Sequence, residues 1–104
     1  MTALTFSHGE TLIIVDGQVL EVFKRRVEGS NRIPLVWLGV WLDTRNPDRL
    51  RISVGAQTTA GRPVYSEQPQ ELAGFSRLPV EAAAVPQHRT FFAEVAAVAG
   101  RPFE

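Results

Sequence analysis

The densest group of chemically useful side chains is a run of positive charge near the end of a predicted strand. Lys24, Arg25 and Arg26 are consecutive, and Arg32 follows six residues later. Guanidinium and ammonium groups bind phosphates and carboxylates, so these four residues are candidates for an anion-binding or lipid-binding site. The alternative is a solvated strand end, where long side chains shield apolar surface and Glu28 lowers the local potential.

The residues that other chemistries need are missing or scattered. The chain has no cysteine, which excludes disulfides, thiolate catalysis and the usual structural zinc sites. Its two histidines, His8 and His88, are expected at the surface, in a frayed N-terminus and in the first turn of a helix, without carboxylates at ligand spacing. No nucleophile with a base and no glycine-rich phosphate loop is recognisable. We therefore expect no metal, no cofactor and no enzymatic activity.

Length and charge limit the class of protein. The 104 residues suit one domain spanning residues 1–104, and eleven basic residues balance eleven acidic ones. No long-range field draws the chain to nucleic acid, and attraction to a membrane would need a local patch. The longest apolar run, residues 33–42, is shorter than the roughly 20 residues that a membrane-spanning helix needs. Because residues 1–9 do not form a secretory signal, the expected location is cytoplasmic.

Apolar residues at strand spacing dominate the first three quarters of the chain. Asp16 and Gly17 separate two β-rich segments and predict a tight hairpin. Residues 49–54 alternate polar and apolar side chains, which predicts a strand with one wet and one dry face. The predicted strands cover residues 11–15, 19–24, 32–42, 49–54, 63–66 and 72–78.

A helical pattern follows, from about Pro86 to Ala99. Pro86 suits the first helical position, Gly100 suits the position just past the end, and Pro102 forbids continuation. The apolar side chains at helical spacing predict a face that docks on the strand core. They are Phe91, Phe92, Val95, Val98 and Ala99.

The predicted third strand, residues 32–42, is apolar on both sides. Alternation places Val36, Leu38, Val40 and Leu42 on one face and Ile33, Leu35, Trp37 and Trp41 on the other. Either the chain's own helix or a loop covers the second face, or a partner does. In the second case Ile33, Leu35, Trp37 and Trp41 form a protein interface, and Gly39 allows close approach of another backbone or ring.

Strands followed by one C-terminal helix form a pattern that resembles the pleckstrin-homology-like superfold, especially its small bacterial members. The resemblance covers residues 10–100 and includes the strand entry at 32–35 and the Phe91-Phe92 pair. It implies a mainly β, α+β fold: a bent two-sheet sandwich or partly open barrel of six or seven antiparallel strands, with the helix closing one corner. A five-stranded oligonucleotide-binding barrel is the main competitor, but its helix usually lies between strands.

These observations lead to a non-enzymatic binding module. The expected partner is another protein or a second copy of the chain, bound through the apolar strand face. The alternative is peripheral binding to anionic lipid or phosphoinositide through the basic cluster. In the resembled family the phosphoinositide sites surround the loop between the first two strands, and here that loop is short and has Asp16 at its tip. The sequence therefore disfavours a membrane role.

Overall fold

Two four-stranded sheets and one C-terminal helix make up the protein in the computed structural model, which describes residues 3–104. The first sheet consists of β1 (Leu4–His8), β2 (Thr11–Asp16), β3 (Val19–Lys24) and β4 (Asn31–Pro34). The second consists of β5 (Leu38–Asp43), β6 (Arg51–Gln57), β7 (Tyr65–Ser66) and β8 (Leu72–Pro79). The first sheet is antiparallel, in the order β1-β2-β3-β4. The second is mixed, in the order β7-β5-β6-β8, with the two-residue β7 parallel to β5.

The predicted hairpin at Asp16 and Gly17 is confirmed. Asp16 pairs with Val19 at the end of the β2–β3 ladder, and Gly17 has a φ of +63°. That backbone conformation carries little steric cost only for glycine, so the Asp-Gly pair fixes the turn. The expectation of a frayed N-terminus is wrong for Leu4–His8, since these residues pair with β2 along their whole length as β1.

The prediction of one strand over residues 32–42 is also wrong. The chain leaves the first sheet at Pro34, makes a 3₁₀ turn at Leu35–Trp37 and enters the second sheet at Leu38. The turn breaks the two-residue period, so the side chains before and after it no longer share one face. Residues 33–42 contribute buried side chains first from one sheet and then from the other. Such a run has the same apolar composition as a single strand that is buried on both faces.

The core lies between the sheets and under the helix. Its members are nearly inaccessible to solvent and form one continuous cluster. Large core side chains from the sheets and from the turn between them are Ile13, Leu20, Ile33, Leu35, Leu38, Val40, Ile52, Val54, Tyr65 and Leu78. In the part of the chain that the structure describes, no backbone hydrogen bonds join a strand of one sheet to a strand of the other, so these strands do not form a closed barrel.

Helix α1 (Val85–Ala99) closes one side of the sandwich. It follows a 3₁₀ turn at Ala82–Ala84 and ends at Gly100, whose φ of +68° is the left-handed C-cap that the sequence predicts. Phe91, Phe92 and Val95 are buried as expected. Val98 is not part of the docking face, since it is 52% exposed and lies on the solvent side of the last turn.

Replacing Phe92 tests the role of the helix. Phe92 is fully buried, so we expect Phe92→Ala to lower the free energy of unfolding by about 3 to 5 kcal/mol through lost burial and a residual cavity. Val98→Ala on the same helix should change it by no more than about 0.5 kcal/mol. Chemical denaturation followed by circular dichroism measures both. Equal effects of the two substitutions would contradict the docked orientation of α1.

Candidate functional site

A groove of about 780 Å³ opens at one end of the sandwich, where strand ends from both sheets meet. The β1–β2 turn and the end of β3 form one wall, and the start of β6 and the end of β8 form the other. Five basic side chains line it: Lys24, Arg25, Arg49, Arg51 and Arg77. We call these five residues the basic groove.

The structure divides the four basic residues that the sequence singled out. Lys24 and Arg25 line the basic groove, whereas Arg26 and Arg32 do not. Arg32 lies on β4 beside Glu21, with 3.9 Å between Nε and Oε1. The cluster predicted from the sequence therefore contributes two cations to the groove, and the other three come from the second sheet and the segment that precedes β6.

Sequence reasoning missed Arg49, Arg51 and Arg77. The alternation of Arg49 and Arg51 with Leu50 predicts that both arginines share the polar face of one strand, and this is the one local signal that they lie together. Arg77 is 53 residues beyond Lys24, yet the Lys24 ammonium group donates to the Arg77 carbonyl at 3.0 Å. Nothing in the local sequence indicates that proximity.

None of the five cations of the basic groove is ion-paired within residues 3–104, although Arg51 lies opposite Asp43 in the β5–β6 ladder and, in addition to Arg45, helps to lower the pKa of that carboxyl. No carboxylate oxygen lies within 4.0 Å of their charged nitrogens, although Glu10, Asp48 and Glu81 also line the groove. The groove thus has two more cations than carboxylates. Outside the groove, Arg45 is paired with Asp43 at 2.8 Å, and Arg89 with Glu67 and Glu104. The Arg45 guanidinium holds the pKa of Asp43 well below its usual range, at about 2.

The turn after β3 presents the groove's rim to solvent. Arg26 has a φ of +69°, a left-handed conformation that is costly for a residue with a side chain. The backbone N–H of Arg25 donates to the Glu10 carbonyl at 2.8 Å, and that of Val27 to Lys24 at 3.2 Å. Val27 is 59% exposed. The turn is therefore tied to the β1–β2 turn while its charged and apolar side chains stay accessible.

The four residues predicted as an apolar interface do not form one surface. Ile33 and Leu35 are buried in the chain's own core: Ile33 is on the core side of β4, and Leu35 is the buried residue of the 3₁₀ turn. Trp37, at the end of that turn, is 43% exposed. Trp41 lies half-buried on the outer face of the second sheet, with the Arg45 guanidinium 5.0 Å from its ring centre.

Gly39 is used by the chain itself and not held open for a partner. A Cβ at this position would lie 2.5 Å from Leu72 Cδ2 and 2.6 Å from Gln57 Cγ. Real Cβ atoms do not approach other atoms so closely, so glycine lets Leu72 and Gln57 pack across β5.

His88 is buried, contrary to the expectation of a surface residue. Its ring is 3% exposed, and Nδ1 lies 2.8 Å from the Ala84 carbonyl, which accepts from it. Phe6 and His8 from β1 pack against the ring at 4.7 and 5.0 Å between ring centres. Burial lowers the pKa of His88, and the nearby His8 lowers it further, while the Ala84 bond raises it.

Comparison of the chain with known protein families, with characterised proteins and with solved structures gives no match. Within residues 3–104, no group of three or more histidine or carboxylate side chains is arranged to hold a metal ion. The same residues include no helix that is both long and apolar enough to span a membrane.

The buried state of His88 predicts a pH dependence of stability. Its folded pKa lies below the unfolded value near 6.5, so the unfolded chain takes up the proton first as the pH falls. We expect the free energy of unfolding to be at its full value above pH 6.5 and to decrease as the pH falls toward the folded pKa. His88→Phe should remove this decrease, and His8→Gln should reduce it. Urea unfolding between pH 7.5 and 5 measures the slope, and an unchanged slope in His88→Phe would contradict the assignment.

Proposed function

We propose that this chain is a non-enzymatic binding module with a pleckstrin-homology-like fold, and that it binds an anionic protein partner in the basic groove. One observation carries the proposal: five cations contributed by both sheets line a single groove without an ionic partner within residues 3–104. Two sheets with a C-terminal helix at one side agree with that fold class.

Electrostatics explains why such a groove favours an anion. Cations held near one another by separate strands repel, and water screens that repulsion less inside a groove than on an open surface. A carboxylate or phosphate entering the groove relieves the repulsion and gains charge-assisted hydrogen bonds from several guanidinium groups. Because four of the five residues are arginine, planar bidentate contacts are available.

A groove also distinguishes a protein partner from a membrane. The five cations line a concave surface between two walls, and Glu10, Asp48 and Glu81 stand among them. A flat anionic bilayer would meet these carboxylates together with the cations, whereas a protruding acidic segment can place its charges next to the cations alone. Binding to lipid headgroups is therefore the competing outcome of the experiment.

The groove is tested by a charge-matched pair of variants. Arg49→Gln combined with Arg77→Gln removes two groove cations, while Arg32→Gln combined with Arg45→Gln removes two cations that have ion-pair partners. With poly-glutamate as the probe in isothermal titration calorimetry, we expect about tenfold weaker binding for the groove pair, or roughly 1.4 kcal/mol, and little change for the control pair. Raising the salt concentration should weaken the parent's binding.

Two results would contradict the proposal. Equal losses in both variant pairs would mean that overall charge, and not the groove, attracts the probe. Sedimentation with phosphatidylserine vesicles, together with no binding of poly-glutamate, would favour the lipid function instead.

Self-association is a second candidate, which one surface feature favours. Val36 and Trp37 are adjacent in the 3₁₀ turn between the sheets, and they are 68% and 43% exposed. Two neighbouring exposed apolar side chains can form the centre of a contact between copies. This patch is much smaller than the four-residue face that the sequence predicts.

Trp37→Glu tests this contact. Because Trp37 is exposed, we expect the variant to fold with a free energy of unfolding within about 1 kcal/mol of the parent. If the patch joins two copies, light scattering should show a dimer for the parent and a monomer for the variant at the same concentration. A parent that is monomeric would contradict self-association through this patch.

A further inference from the structure

Strand β8 has one free edge that faces a slot between the sheets. Among residues 3–104, β6 is its one strand partner, and its other edge faces the end of β3 and the start of β4. The slot has a volume of about 570 Å³ and includes Val22, Val27, Asn31 and Phe75 in its lining. An open edge of this kind is a template for another strand unless it is protected.

Side chains from the first sheet occupy the hydrogen-bonding groups of this edge. The Asn31 amide donates to the Gly74 carbonyl at 2.6 Å and to Ser76 Oγ at 3.0 Å. The Lys24 ammonium donates to the Arg77 carbonyl at 3.0 Å. Two backbone acceptors on β8 are thus capped by exposed, exchangeable side-chain donors and not by a neighbouring strand.

The slot and the basic groove are continuous. They share Lys24, Val27 and Arg77, so a segment lying along β8 would run directly into the groove. Exposed Val27 and Phe75, at 59% and 47%, provide apolar contacts beside the cations. A segment that alternates acidic and apolar side chains matches this lining, because successive residues of a strand point to opposite faces.

We propose that an extended acidic segment of a partner protein adds to the free edge of β8 as a further strand. Its backbone N–H groups replace Asn31 and Lys24 as donors to the Gly74 and Arg77 carbonyls, and its carboxylates bind the released Lys24 together with Arg25 and Arg77. The inference rests on the proposed function and adds to it the way in which the acidic partner binds.

The charges argue against a second copy at the same edge. Two β8 strands paired across this edge would bring the Lys24 and Arg77 cations of both copies close together, which is repulsive.

The experiment uses the full chain and a synthetic peptide of alternating glutamate and valine. Two modified peptides carry the same charge, one N-methylated at every glutamate and the other at every valine. In a strand of alternating residues, all glutamate N–H groups point to one edge and all valine N–H groups to the other. If the peptide adds to β8 in one direction, the N–H groups of one residue type bond to β8. Methylation of those groups blocks binding, whereas methylation of the other groups is tolerated. We expect at least a tenfold difference in affinity between the modified peptides, and backbone amide shifts along β8 in NMR spectra.

Asn31→Ala provides a second readout. It removes the donor that competes for the Gly74 carbonyl, so we expect the peptide to bind several-fold more tightly while inositol hexakisphosphate binds as before. If Asn31→Ala folds less well than the parent, the comparison of the two modified peptides, which uses the parent chain, still tests the proposal.

The outcomes separate the two proposals. If the two modified peptides bind with equal affinity, strand addition is overturned. If the double variant Arg49→Gln and Arg77→Gln still weakens their binding, the basic groove remains the binding site. No binding of any acidic peptide overturns both. If the chain binds phosphatidylserine vesicles in the absence of peptide, the partner is a membrane and not a protein, which overturns the protein-binding proposal.

Discussion

Within residues 3–104 the two sheets share no backbone hydrogen bonds, and the other features of the fold follow from that constraint. The chain passes between them through the short 3₁₀ turn at Leu35–Trp37, so two pairs of strand edges must be covered by something other than a strand. On one side α1 lies against β1, where Phe91 stacks on Phe6 with 5.1 Å between ring centres. On the other side, the side chains of Asn31 and Lys24 donate hydrogen bonds from the first sheet to β8. The first side is a packed core, and the second is the slot and the basic groove.

Arg101 holds the turn between the sheets in place. Its guanidinium donates to the carbonyls of Leu35, Leu38 and Arg62 and to the side-chain oxygen of Gln57, at 2.7 to 3.0 Å. Burial lowers the pKa of Arg101, but the acceptors that surround it replace water. One side chain from the segment after α1 thereby links the turn between the sheets, the end of β6 and the loop before β7.

The segment after α1 also explains how charge is distributed. The N–H groups of Val64 and Tyr65 donate to the carbonyls of Pro102 and Phe103, and the Phe103 ring stacks on Tyr65. Arg89 lies over both rings and pairs with Glu104, so the charges on this side are satisfied within the chain. Burial raises the pKa of the Tyr65 hydroxyl. On this side of the molecule Arg89 is therefore paired, whereas the five cations of the basic groove are not.

Local chemistry was enough to predict several elements from the sequence. Asp16 and Gly17 specify a turn by backbone preference, Gly100 ends the helix by the same preference, and the apolar spacing of α1 identifies Phe91, Phe92 and Val95 as core. The sequence could not reveal that the apolar run at 32–42 turns at Leu35, because buried residues of two sheets have the same composition as a strand covered on both faces. Nor could it place Arg77 beside Lys24, since that contact joins positions 53 residues apart. Turns and helix ends depend on neighbouring residues, whereas the basic groove exists only because the tertiary structure brings the ends of strands from two sheets together.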